Sequence, residues 1–130
     1  MKQIVFGAAV GLLPMAAMAD PSLECSLTTS SQVETADCLI DAEERVNAAL
    51  EVALESARAS AVELDEATER EAAGPALEAA QNAWLALRET QCAYEGSLFG
   101  GGSGTGIAIQ ACRISLTRKR IEQLFSLVTY

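Results

Sequence analysis

Apolar and small residues recur at helical spacing along three stretches of the chain. In the first, Leu50, Leu54, Ala57, Ala61 and Leu64 follow one another at 4-3-4-3 intervals, the narrow seam of a bundle helix. In the second, Leu77, Ala80, Trp84, Leu87 and Gln91 mark one side. In the third, Ile109, Leu116, Leu124 and Leu127 do so, and Ile107, Ile114, Ile121, Phe125 and Val128 form a second apolar face. Alanine is abundant and no stretch alternates with period two, so strands are not expected. The pattern predicts an all-α, three-helix domain in which a long first helix is followed by an α-hairpin.

The helix ends are marked by capping and breaking residues. Ser31 or Thr35 can cap the first helix, and Asp37, Asp41, Glu43 and Glu44 fall early in it, where the helix dipole favours anions. It should persist to about residue 71. Ala73-Gly74-Pro75 then breaks it, with Gly74 as the stop and Pro75 in the first turn of the next helix. The second helix runs to about residue 95, and the glycines at 96, 100, 101, 102, 104 and 106 end it. The third runs from about Thr105 to Val128. Residues 20–31, with Pro21 and Thr28-Thr29-Ser30-Ser31, read as an irregular lead-in held by Cys25.

Residues 1–19 have the pattern of a signal peptide. Lys2 supplies the positive start, residues 4–13 the apolar centre, and Ala17-Met18-Ala19 the small-x-small cleavage site. The apolar run is shorter than the ~20 residues of a membrane span. Cys25 lies too far past the cleavage point to carry a lipid anchor. The expected mature protein is therefore residues 20–130, exported to the periplasm or secreted by a bacterium and not inserted in the membrane.

A domain this small buries only ~60–70% of the surface its unfolded chain exposes, so covalent staples matter. Four cysteines, Cys25, Cys38, Cys92 and Cys112, read as a disulfide framework in an exported chain. They permit three connectivities. If the second helix ends near Ser97 and the third begins near Thr105, Cys92 and Cys112 fall ~7.5 and ~10 Å from those ends and lie nearly level. That geometry favours Cys92–Cys112, which leaves Cys25–Cys38 to fold the lead-in back on the first helix. Zinc fits poorly, because the chain has no Cys-x-x-Cys pair and no histidine, so neither a metal nor another cofactor is expected.

Charge is unevenly spread. The formal net charge is −9, but residues 20–80 hold three basic and 15 acidic residues, whereas residues 81–130 hold five basic and three acidic. The acidic half disfavours nucleic acid and anionic lipid and favours a cationic partner, although such charges also simply solvate a helix surface. Catalysis finds little support. Without histidine there is no Ser-His or Cys-His pair, and the cysteines are expected to be oxidised. The glycine run matches no phosphate-loop pattern, since Gly106 is followed by Ile107 and Ala108. A non-enzyme is expected. Trp84, Arg88 and Cys92 share one side of the second helix, and Cys112, Leu116, Arg120 and Leu124 one side of the third. Trp84 reads as a core anchor, Arg88 as its neighbour stacking on it or pairing with Glu44 or Glu51, and Thr117 and Arg120 as further structural residues.

Gln81-Asn-Ala-Trp84-x-x-x-Arg88-x-x-x-Cys92, Gly101-Gly-Ser103, Cys112 and Thr117-x-x-Arg120-x-x-x-Leu124 together resemble the LprI-like lysozyme-inhibitor family of exported bacterial proteins. Residues 41–54 resemble that family's first helix, with Val46-Asn47 where a Leu-Asn pair is common. The resemblance implies a small helical, disulfide-bonded envelope domain whose partner is a lysozyme-type muramidase. It agrees with the charge, since animal-type lysozyme is strongly cationic and its cleft carries two acidic groups. On this reading Gly101, Gly102, Ser103, Gly104 and Thr105 contact the partner, from a loop held by the disulfide between its flanking helices. The alternative is a structural or protein-interaction module of the envelope, motivated by the second apolar face of the third helix.

Overall fold

The computed structural model describes residues 19–128, and the segment read as a signal peptide lies almost entirely outside them. Four helices follow one another: α1 (Pro21–Ser26), α2 (Gln32–Thr68), α3 (Ala73–Ser97) and α4 (Gly104–Val128). No strand occurs among the described residues. The architecture is all-α, with one helix more than the pattern predicted. The lead-in expected to be irregular forms the short α1, because the Asp20 carboxylate accepts from the Ser22 N–H and Pro21 supplies the first-turn dihedral. Cys25–Cys38 and the ion pair of Glu24 with Arg118 (2.8 Å) hold it against α2 and α4.

Short connections make α2, α3 and α4 an up-down-up bundle, in which α4 lies most extensively on α2 and then on α3. Two apolar clusters form the core. One joins Leu50, Ala53, Leu54, Ala57 and Leu124, with Leu77, Trp84, Ile121 and Val128 against it. The other joins Cys25, Leu39, Ala111 and Ile114, with Val46 and Ile107 against it. Most of the second apolar face of α4 therefore serves the interior: Ile114 is fully buried, Ile121 and Val128 pack on the first cluster, and Ile107 packs on the second. Phe125 and Leu127 remain exposed, the latter against expectation.

The seam of α2 holds as far as Ala61, but Leu64 is 55% exposed. A straight helix turns every 3.6 residues and drifts away from a 3.5-residue seam. One turn after Ala61 the inward position passes to Asp65, which is half-buried. Its carboxylate accepts from the N–H groups of Ala72 (3.1 Å), Ala73 (2.8 Å) and Gly74 (2.9 Å) and so caps α3 from a distance. These bonds, that from Gly74 foremost, hold the Asp65 pKa below its ordinary value. Gly74 is thus not the stop of α2. It sits in the first turn of α3, while Glu69 closes α2 in the left-handed conformation (φ 52°).

The inner side of α3 differs most from expectation. Ala80 is exposed and Leu87 is 57% exposed, whereas Gln81, one residue along, is buried. The side facing the bundle is Leu77, Gln81, Trp84, Arg88 and Cys92, which sets two polar side chains, Gln81 and Arg88, among apolar ones.

Candidate protein-binding site

Two features of the α3–α4 hairpin bear on function: a polar layer inside it and a loop at its tip. The polar layer lies between the two apolar clusters. Arg88 sits 5.2 Å from the Trp84 ring centroid and Arg120 5.9 Å, both in cation–π range. Arg88 Nη1 donates to Asn47 Oδ1 (3.2 Å) and to Thr117 Oγ1 (3.1 Å), and its Nε to Glu89 (3.3 Å). The expected partners Glu44 and Glu51 are not used. Thr117 is fully buried and donates one turn back to the Arg113 carbonyl (2.7 Å), so its oxygen serves Arg88 and not Arg120.

Arg120 is 7% exposed yet makes no ion pair among the described residues. Its Nε donates to Gln81 Oε1 (3.0 Å) and its Nη1 to Gln123 Oε1 (2.8 Å), and burial pushes its pKa down. Trp84, Arg88, Thr117 and Arg120 therefore share one network that joins α2, α3 and α4. Asn47, Gln81 and Gln123 were missed as its acceptors. Asn47 and Gln81 stand among the residues that carry the family likeness, but a polar side chain at a helical position gives no local sign of being inside.

At the tip, Cys92 bridges Cys112 with 5.5 Å between Cα atoms, five residues before the end of α3 and eight after the start of α4. Both expected pairings are present and no cysteine is free among the described residues. Gly96 lets the hairpin close, since a Cβ there would lie 2.5 Å from Ile109 Cγ1. The connecting loop is residues 98–103. Gly100 (φ 63°) and Gly101 (φ 79°) make the turn in the left-handed region that other residues avoid.

Of the residues assigned to a partner, Gly101, Gly102 and Ser103 are exposed on the loop. Gly104 and Thr105 belong instead to the first turn of α4. Gly104 packs under the Phe99 ring, where a Cβ would come within 2.9 Å of the ring, and the Thr105 hydroxyl is buried without a hydrogen bond. The Gly102 N–H is returned to Phe99 O, whereas those of Gly101 and Ser103 have no acceptor among the described residues. Leu98 and Phe99, 67% and 56% exposed, flank this turn as apolar shoulders that sequence reasoning missed.

A family model described as lysozyme inhibitor LprI matches residues 24–124. The chain belongs to that family. No curated protein and no solved structure matches it significantly. The match spans α2, the polar network, both disulfides and the loop. A lysozyme inhibitor binds a protein and does no chemistry of its own, so the LprI domain is a protein-binding domain and not an enzyme. Two disulfides in such a domain are those of an exported protein. No helix of the described residues is long and apolar enough to cross a membrane, and no group of three His, Cys, Asp or Glu among them could hold a metal ion.

Proposed function

We propose that residues 20–130 act in the periplasm as an inhibitor of a cationic lysozyme, engaging it through the acidic surface of α2 and the loop at 98–103. The observation that carries this reading is the loop itself. It projects from two helix ends clamped by Cys92–Cys112, with exposed Leu98 and Phe99 beside unpaired N–H groups at Gly101 and Ser103. Apolar shoulders supply contact area, and free N–H groups and the Ser103 hydroxyl supply donors for the carboxylates of a glycosidase cleft. The clamp limits the entropy lost when the loop is ordered by a partner. The acidic helix supplies long-range steering, which raises the association rate and fades with salt.

The test is a cell-wall turbidity assay with purified, oxidised protein. Inhibition at micromolar excess, weakened by Phe99→Ala and by raised ionic strength, is the expected result. Failure to inhibit any of several lysozyme types overturns the reading. The alternative, an envelope interaction module built on the second face of α4, has lost its main motive, because Ile107, Ile114, Ile121 and Val128 serve the interior.

A further inference from the structure

A cleft of about 380 Å³ opens between α2 and α3, and its polar lining is organised from behind. Arginine carries donors only. The Gln81 amide must therefore turn its oxygen to Arg120, and the Asn47 amide must turn its oxygen to Arg88. Each NH2 group then faces away from its arginine, and no described residue accepts from either. Both amides line the cleft. Gln81 is only 4% exposed, and its NH2 group is not cut off from solvent, so a ligand in the cleft that displaces water there must accept from it.

Other groups in the cleft define what that something is. Glu51 also lines it and makes no hydrogen bond with another described residue, so the same cleft offers an acceptor beside the two donors. Arg58 and Glu78 close one end as a bidentate pair (2.6 and 3.2 Å). Two arginines and two glutamates line the cleft, so its formal charge balances, and the chain's net −9 disfavours an anion. Leu85, 37% exposed, adds apolar surface, whereas Leu50 and Leu54 are buried. A ligand that matches must be neutral, must both donate and accept, and must present an apolar face. Sugar rings do this, with hydroxyls around the edge and C–H groups on the face.

The geometry points to this cleft as a binding site for a neutral saccharide of one or two rings. Its volume lies at the small end of the ~300–1,000 Å³ typical of ligand sites, which sets the ring count. Arg88, at one end, lies about 15 Å along α3 from the loop at 98–103, counting 1.5 Å per residue. The site is thus separate from the loop assigned to lysozyme, although Glu51 belongs also to the acidic surface of α2, and it rests on the cleft's own lining and not on that assignment.

The experiment is an NMR titration of the full domain that follows the side-chain NH2 signals of Gln81 and Asn47. N,N′-diacetylchitobiose and cellobiose are the probes, and sodium acetate at matched ionic strength is the control. The expected result is saturable movement of both NH2 signals with at least one disaccharide. Gln81→Glu and Asn47→Asp each keep an oxygen for the arginine and remove the donor. Each should weaken binding at least tenfold while circular dichroism stays unchanged. Asn47→Asp, on a half-buried side chain, carries the test if Gln81→Glu does not fold. Saturation by acetate alone, by neither disaccharide, or with undiminished affinity in the folded variants overturns the proposal.

Discussion

Arg120 donates its Nε–H to the side-chain oxygen of Gln81 at 3.0 Å, with both residues more than nine-tenths buried and no carboxylate of the described residues paired to the guanidinium. A charge in that position rests on neutral acceptors and the Trp84 ring. Its removal from water is offset only while every acceptor stays in place.

The first prediction tests that dependence. Gln81→Leu leaves the buried guanidinium short of an acceptor and should cost about 2–3 kcal/mol, in the range of lost hydrogen bonds to charged groups. Gln81→Leu with Arg120→Met should cost less than the two single changes added together, because the stranded charge leaves with the arginine. Urea unfolding of the four proteins checks it. Strict additivity would show that the pair is not coupled.

The second concerns the α3–α4 staple. Replacing Cys92 and Cys112 together by Ser should lower stability by about 2–5 kcal/mol, the usual loss for a native disulfide in a small exported domain. Helical circular dichroism at 20 °C should largely persist, since the apolar clusters around Leu54 and Leu124 do not include the bridge. Lysozyme inhibition should fall more than helicity, because the loop loses its clamp.

A third prediction follows from Glu69, which holds φ 52° at the end of α2 while the Arg70 N–H returns to the Asp65 carbonyl at 3.0 Å. A side chain in the left-handed region costs about 1 kcal/mol relative to glycine. Glu69→Gly should therefore raise the unfolding free energy by about 0.5–1 kcal/mol, seen as a higher urea midpoint at unchanged slope. A fall in the midpoint would mean that the Glu69 side chain contributes something the backbone geometry does not reveal.

The fourth concerns acid. The Asp65 carboxylate has a folded pKa below its ordinary 3.8, owing first to the Gly74 N–H and then to that of Ala73. For a depressed acid, the stabilisation is fully present above the unfolded pKa and is lost as pH falls through the folded one. Asp65→Ala should thus be less stable than the parent at pH 6, and the gap should close as pH drops below 3.8. Unfolding midpoints at pH 6, 4 and 2.5 measure this. A gap independent of pH would remove the carboxylate from the cap.

Much was legible in the chain before any coordinates. The seam from Leu50 to Ala61, the cap at Ser31, both disulfides and the glycine turn follow from local rules: periodicity, capping chemistry, and helix rise applied to cysteine positions. Other features depend on which element lies opposite. Leu87 is more apolar than Gln81, so hydrophobicity chose the wrong side of α3. Gln81 goes inside because Arg120 of α4 comes up against it. Asp65 looked like one more surface acid until the start of α3 came within hydrogen-bond reach.

By itself the sequence determined an all-α, disulfide-bonded chain with the residues of the LprI family, because spacing and residue chemistry act over one or two helical turns. Only the tertiary structure decided that α1 is a helix, that most of the second apolar face of α4 is covered while Phe125 and Leu127 stay exposed, and that Thr105 is withdrawn from the loop. It alone turned the free amide groups of Asn47 and Gln81 toward a cleft. The physical reason is range: a helical period says which residues share a face, and only the packed neighbour says what that face meets.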